Sequence, residues 1–292
     1  MKRLFFILFI FVCLALSATA QDPASDPSLA GGMALSPARF ELEMKPGSET
    51  TVVVNLDYHA PGGATQPVRI VATLNDWTIT KDGRVEYFRA DSRPDSASSW
   101  LVYSPGEASV TPGTVHQIRV TISVPLNATP GDHLTALIIE QRPETLKTEP
   151  NLRQMIVRYR MASVFYIKVP GLTRKGDFGD LLAESTPDGI VVTPTLKNEG
   201  NSMIRPVASV KVLDSEGKVV TDIPGIEPLP ILAGSETKQA VKIGQNLAPG
   251  NYTVKYRVDF QDGGKATEGI TDLVVRAAAP QIATSGKSPI KP

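Results

Sequence analysis

The sequence has very little cysteine, histidine or aromatic residue. Its one cysteine, Cys13, lies within the first 20 residues, so the remainder of the chain contains no thiol. This absence excludes disulfide bonds, thiol catalysis and thiolate metal sites beyond residue 20. The three histidines, His59, His116 and His133, have no partner at a metal-binding spacing such as His-x-x-x-His. We therefore expect no metal site and interpret the histidines as surface or structural residues.

Motifs that mark common catalytic sites are also missing. There is no Gly-x-Ser-x-Gly sequence, at which a hydrolase would place its nucleophile, and no glycine-rich loop for a phosphate. The 30 basic and 30 acidic residues balance, without the concentrated basic face that nucleic acid requires. We therefore expect a non-enzymatic protein with no cofactor and no nucleic-acid partner. A polar site assembled from distant strands would escape such a motif search.

The first 20 residues have the pattern of a secretory signal peptide. Lys2 and Arg3 precede an unbroken apolar run, residues 4–16, and small residues follow up to Ala20. This order predicts export with cleavage after Ala20. The apolar run is too short to span a membrane, and no later segment approaches the roughly 20 apolar residues that a span needs. We expect a periplasmic or secreted protein with no membrane span after cleavage.

Beyond residue 32, short strand-like segments alternate with turns. The 23 glycines and 24 prolines are spread along the chain rather than clustered. In residues 115–124 the alternation is clean, and Ile118, Val120, Ile122 and Val124 share one face. Strand segments of this kind, recurring about every 8–12 residues, are typical of sandwiches. We predict an all-β protein with two immunoglobulin-like β-sandwich domains in tandem.

Turn-rich stretches divide the chain into six expected segments. These are a signal peptide (1–20), a flexible leader (21–32), a first sandwich (33–169), an interdomain hinge (170–176), a second sandwich (177–276) and a disordered tail (277–292). The first sandwich opens with residues 34–43, predicted as one strand interrupted by Pro37 and therefore placed on a sheet edge. Seven strands are expected in the second sandwich.

The longest alternating stretch is residues 154–169, QMIVRYRMASVFYIKV. Its odd positions are almost all apolar, and at about 3.3 Å per residue it would extend for about 50 Å, far beyond a usual strand. Two interpretations remain open. The strand either closes its own sandwich and is buried, or it offers apolar side chains to a partner strand at a sheet edge. The side chains that would bind the partner are Met155, Val157, Tyr159 and Met161.

Four basic residues form a second candidate site. Arg39 lies on the first predicted strand of the first sandwich, and Arg158, Arg160 and Lys168 lie on the last one. First and last strands of a sandwich can be neighbours, which would bring these cations together near the crevice between the domains. Arginine and lysine side chains could there hold a chain-terminal carboxylate by charge-assisted hydrogen bonds. The alternative is that each cation lies on a solvated face or in an ordinary ion pair.

The order of these features resembles the periplasmic pilus-assembly chaperones of the PapD-like family. The shared features are an export signal, a first sandwich that opens with ALSPARFEL, a hydrophobic last strand, a short hinge and a second immunoglobulin-like domain. The resemblance implies that the protein lends alternating apolar residues to a partner lacking a strand, while two basic residues hold the partner's terminal carboxylate. Arg39 stands where the first basic residue is expected. The second is a lysine before a Phe-Tyr pair in the family, whereas here Ser163-Val164 precedes Phe165-Tyr166.

The segments WLVYSP (100–105) and VTPGTVHQIRVTISVPLNATPGDHLTALIIEQ (110–141) resemble a sister group, the WxL-interacting surface proteins. That resemblance implies a first domain that binds peptidoglycan and a second that binds the host. The group also carries a C-terminal transmembrane helix, which this sequence lacks. Two functions therefore stay open. The protein is either a chaperone that binds an exported or surface protein subunit during pilus or surface-structure assembly, or an adhesion module that binds cell-wall glycan.

Overall fold

The structure, a computed structural model, describes residues 32–60, 64–142, 159–244 and 247–276. The expected signal peptide, nearly all of the leader and the expected tail lie outside these residues, as do Met155, Val157 and Arg158. The described residues form 18 strands in four sheets and a single-turn 3-10 helix at Ser98–Trp100. The predicted all-β class is confirmed.

The first ten strands build one sandwich. In chain order they are β1 (Gly32–Ser36), β2 (Arg39–Glu43), β3 (Glu49–His59), β4 (Val68–Ile79), β5 (Val85–Arg89), β6 (Leu101–Ser104), β7 (Glu107–Val110), β8 (Val115–Ser123), β9 (Gly131–Arg142) and β10 (Arg160–Val169). One sheet has the order β1-β3-β8-β6. The facing sheet has the order β2-β10-β9-β4-β5, and β7 also pairs with β4.

The other eight strands build a second sandwich. They are β11 (Gly176–Thr186), β12 (Gly189–Asn198), β13 (Val207–Leu213), β14 (Val219–Ile226), β15 (Glu236–Thr237), β16 (Val241–Ile243), β17 (Gly250–Asp259) and β18 (Thr267–Val275). One sheet places β12 between β11 on one side and β15 with β16 on the other. The facing sheet has the order β14-β13-β17-β18.

Each sandwich encloses its own apolar core. Ile118, Val120 and Ile122 are fully buried in the first core, as their alternation predicts, and Val124 is nearly so. Val210, Val254 and Tyr256 are fully buried in the second core. Burying one large apolar side chain contributes about 1.5–3 kcal/mol, so each core can support folding without disulfide bonds. The prediction of two tandem immunoglobulin-like sandwiches is confirmed.

The first predicted strand is in fact two strands that belong to different sheets. β1 pairs antiparallel with β3, whereas β2 pairs parallel with β10. The chain changes sheet at Pro37, which has no N–H to donate to a ladder and whose carbonyl accepts a hydrogen bond from Ser163 Oγ at 2.8 Å. On β2, the Phe40 ring stacks on Phe165 of β10 with centroids 4.8 Å apart. The single strand expected over residues 34–43 is therefore wrong in this detail.

The two sandwiches touch through the hairpin that joins β4 to β5. The Lys81 carbonyl, at the tip of this hairpin, accepts a hydrogen bond from the Lys238 N–H at 2.6 Å. Lys81 Nζ also lies 3.2 Å from Glu236 Oε1. The pairing with β12 is interrupted between β15 and β16, where the register places Gln239 opposite Pro194, which has no N–H to donate. The second sandwich therefore has eight strands and not the expected seven.

Asn201 ties the segment between β10 and β11 to both sandwiches. Its Nδ2 donates to the carbonyls of Pro130 (3.2 Å) and Gly171 (3.1 Å). Its Oδ1 accepts from the N–H and the hydroxyl of Thr173 at 2.6 and 3.0 Å. At Gly200 a Cβ atom would lie 2.3 Å from the Thr173 carbonyl oxygen, so only glycine allows this approach. The connecting segment is therefore held at several points along its length.

Candidate functional site: an open strand edge beside a charge cluster

β10 has strand neighbours on both sides over only part of its length. β9 pairs with all of it, from Arg160 opposite Glu140 to Val169 opposite Gly131. β2 pairs only with residues 164–168, beginning at Arg39 opposite Val164. Among the described residues, no strand therefore pairs with residues 160–163 on the side away from β9.

The backbone groups of Ala162 and Arg160 point toward this open side. In the ladder between β9 and β10, the odd-numbered residues of β10 face β9, as the bond from Gln141 N–H to the Tyr159 carbonyl (3.0 Å) shows. Even-numbered residues face the other way, and the Val164 N–H accordingly donates to the Ala38 carbonyl at 3.0 Å. Ala162 and Arg160 continue that series beyond the end of β2, so their N–H and C=O groups lie on an unpaired edge.

Both faces of the second half of β10 are packed. Phe165, Ile167 and Val169 point into the first core. On the opposite face Tyr166 meets Trp77 edge to face, with centroids 5.2 Å apart, in an apolar cluster that includes Met203 and Leu232 of the second sandwich. The closing-strand interpretation is correct for this half. Trp77 is buried at the junction between the sandwiches.

The first half of β10 is less buried. Tyr159 and Met161 are both partly exposed, and by alternation they share a face with Phe165. Met155 and Val157, the other two proposed partner-binding residues, lie outside the described residues. Binding of a partner strand by these four side chains therefore stays a prediction.

Two of the four predicted cations, Arg39 and Lys168, meet at the carboxylate of Glu41. Arg39 Nε lies 3.0 Å from Glu41 Oε1, and Lys168 Nζ lies 2.8 Å from Glu41 Oε2. A third cation comes from the second sandwich, where Arg205 Nη2 donates to Glu41 Oε1 at 2.6 Å. Parallel pairing of β2 with β10 creates this cluster, because it aligns Arg39, Glu41 and Lys168 on one face.

The charges set the ionisation of Glu41. Burial alone would raise its pKa, but hydrogen bonds and charge from Lys168 and Arg205 more than offset burial and hold the pKa below its usual range. Glu41 is therefore an anion at neutral pH. A recess of about 190 Å³ adjoins it between the sandwiches, lined also by Arg174 and Gln261. Three cations around one carboxylate leave this region with a net positive charge.

The other predicted cations do not join the cluster. Arg160 is exposed at the start of β10, eight residues from Lys168 and so about 26 Å along the strand. Arg158 lies outside the described residues. Sequence reasoning missed Glu41, Arg174 and Arg205. No local pattern marks them, since Glu41 and Arg205 are 164 positions apart.

The described part of the chain contains neither a metal-ligand cluster nor a membrane-spanning helix. Within it, no group of three or more His, Cys, Asp or Glu side chains is placed to hold a metal ion. No helix in the described ranges has the length and apolar character needed to cross a membrane.

Comparison with known proteins gives matches among solved structures. No protein-family model and no curated protein matches the sequence. The class 5 fimbriae chaperone CfaA is 13% identical with a TM-score of 0.40, over 84% of this chain and 100% of that chain. A second match is a chain of the CsuC–CsuE chaperone–tip adhesion subunit pre-assembly complex from archaic chaperone-usher Csu pili of Acinetobacter baumannii. It is 15% identical with a TM-score of 0.40, over 83% of this chain and 98% of that chain. The E. coli chaperone DraB is 12% identical with a TM-score of 0.40, over 82% of this chain and 98% of that chain.

The solved structures that this chain matches include PapD-like fimbrial chaperones. This is the family that the sequence motifs resemble. The three matches extend over most of this chain and nearly all of each matched chain.

Proposed function

We propose that the protein is a non-enzymatic, exported chaperone that holds another exported or surface protein subunit during pilus or surface-structure assembly. It does so by accepting a strand of that subunit at the open edge of β10. The observation that supports this most directly is the incomplete pairing of β10, since the β2 ladder starts at Val164 and leaves residues 160–163 without a paired strand on that side. An open edge of this kind binds an extended segment through main-chain hydrogen bonds.

The position of Arg39 gives the added strand a direction. Arg39 is opposite Val164, directly where the open edge ends. Its side chain is 54% exposed and so accessible to a partner. A strand added parallel to β10 would bring its C-terminal carboxylate to this guanidinium, and such charge-assisted bonds are stronger than neutral ones. We propose Arg39 as the main anchor. The backbone of Lys168 lies about 13 Å beyond Val164 along β10, but its Nζ meets Arg39 at Glu41, so we assign Lys168 a supporting role.

The apolar residues of the preceding segment give the partner strand its side-chain contacts. In this proposal Met155, Val157, Tyr159 and Met161 are the donor residues, spaced two apart on one face. Such spacing fits alternate pockets in a partner whose own sheet lacks a strand.

A proline at the open edge tests the proposal. Ala162→Pro removes an N–H that faces the open side and leaves the bonds to β9 in place, because proline is tolerated on an edge. The matched control is Val85→Pro on β5, at the opposite edge of the same sheet. Val85 follows the Thr80–Arg84 hydrogen-bonded pair of the hairpin, so its N–H points away from β4.

The assay is purification of each mature protein from its own cell envelope, with identification of bound proteins by mass spectrometry. We expect one stoichiometric exported protein with the wild type and with Val85→Pro, and its loss with Ala162→Pro. Circular dichroism must show all three proteins folded. Retention on cell-wall material without a protein partner would refute the chaperone proposal and favour the adhesion module.

A further inference from the structure

The carboxylate of Glu41 already forms ion pairs with the side chains that the proposed anchor would use. Arg39 Nε and Arg205 Nη2 bind Glu41 Oε1 at 3.0 and 2.6 Å, and Lys168 Nζ binds Oε2 at 2.8 Å. We propose that Glu41 is a built-in competitor, a resident carboxylate that holds Arg39 until a partner's terminal carboxylate takes its place. This inference rests on the proposed function and adds a regulating residue to the same site.

The geometry allows Arg39 to leave while the remainder of the cluster persists. The Lys168 side chain is only 14% exposed, whereas the Arg39 side chain is 54% exposed. After Arg39 turns toward a partner, Glu41 keeps both Lys168 and Arg205. The Glu41 charge therefore stays compensated during the exchange, so the exchange does not leave a partly buried carboxylate unpaired.

Competition by Glu41 would make the anchor selective for a chain end that arrives on a strand. A free carboxylate competes with Glu41 only at the concentration that the carboxylate has in solution. A carboxylate on a strand already paired with β10 is delivered at an effective concentration on the order of millimolar or more. Glu41 thereby suppresses binding of free carboxylates and allows binding of a docked strand.

Acetate is the probe that tests this competition without a partner strand. We would follow the side-chain Nε–H signal of Arg39 by 15N NMR during an acetate titration, with sodium chloride at equal ionic strength as the reference. Glu41→Gln should bind acetate roughly tenfold more tightly than the wild type, because it removes one like charge at contact distance in a partly solvated site. The matched control is Glu86→Gln, an exposed carboxylate on β5 at the opposite edge of the same sheet, for which we expect the wild-type affinity.

Equal acetate affinity in Glu41→Gln and the wild type would overturn the inference. So would weaker binding, which would mean that Glu41 orders the cations and does not compete. If Glu41→Gln fails to fold, Glu41→Asp is the second variant. It keeps the charge but moves it away from Arg39 by one methylene, and it should give a smaller increase in the affinity for acetate.

The test also separates this inference from the proposed function. Acetate needs no open edge, so Ala162→Pro should show the wild-type acetate response. Loss of competition in Glu41→Gln with no captured partner would refute the chaperone function and leave the role of Glu41 intact. Partner capture by the wild type with unchanged acetate affinity in Glu41→Gln would refute only the role of Glu41.

Discussion

Replacing Asn201 with alanine should weaken the mechanical link between the two sandwiches. The side chain makes four hydrogen bonds, to the carbonyls of Pro130 and Gly171 and from the N–H and hydroxyl of Thr173. Each hydrogen bond contributes about 0.5–1.5 kcal/mol net. Since Asn201 is partly exposed, we take the lower part of this range and expect a loss of about 2–3 kcal/mol in the free energy that couples the sandwiches.

The positions of the tryptophans provide the assay. The sequence contains only Trp77 and Trp100, and both lie in the first sandwich. Trp77 also lies in the cluster with Met203 and Leu232 of the second sandwich, so each protein carries Trp77→Phe. The fluorescence of Trp100 then reports the first sandwich, whereas far-ultraviolet circular dichroism reports both. If the junction couples them, the two urea transitions of the wild type coincide. In Asn201→Ala they should separate.

The control is Asn251→Ala, an exposed asparagine on β17, which should leave the transitions coincident. Coincident and unshifted transitions in Asn201→Ala would refute the reasoning, because the junction would then not depend on this side chain. Separate transitions in the wild type would refute it too, because the sandwiches would already unfold independently.

Two further substitutions test buried parts of the fold. Burial alone would raise the pKa of Asp76, but hydrogen bonds from Ser96 and Ser98 and from backbone N–H groups lower it below the usual 3.8. Asp76→Asn should therefore cost the first sandwich about 2–4 kcal/mol at neutral pH. The cost should shrink as the pH falls toward the lowered pKa, because the wild-type carboxylate then becomes protonated. Urea titrations of both proteins at a series of pH values below 7 measure this, and a cost that does not change with pH would contradict it. Gly200→Ala forces a Cβ against the Thr173 carbonyl and should lower the midpoint of thermal unfolding, whereas Gly244→Ala, with no atom within 4 Å of its Cβ, should not.

Much of the fold could be predicted because its determinants are local. The alternation of Ile118, Val120 and Ile122 predicted a buried face, and these residues are in the first core. An Asp-Gly pair favours a tight hairpin turn, and Asp82-Gly83 lies in the hairpin between β4 and β5. Both patterns depend on period and turn chemistry within about ten residues.

The details that failed depend on contacts between distant segments. No local pattern could show that the Lys238 N–H would bond to the Lys81 carbonyl and so connect the two sandwiches. The same holds for the candidate site, where Arg39 and Lys168 were found but Glu41 and Arg205 were not. A glutamate in an alternating strand is ordinarily a solvated face residue, and only the packing of the second sandwich brings Arg205 to within 2.6 Å of it.

The crossing of the chain at Pro37 links the open edge to the charge cluster. Had residues 34–43 continued as one strand beside β10, they would have covered residues 160–163 in the same parallel register that places Arg39 opposite Val164. Instead, β1 pairs with β3 in the facing sheet, where Leu35 lies opposite Leu56. This single change of sheet uncovers the edge and also starts β2 at Arg39. The cation therefore stands at the end of the open segment, where an added parallel strand would have its C-terminus.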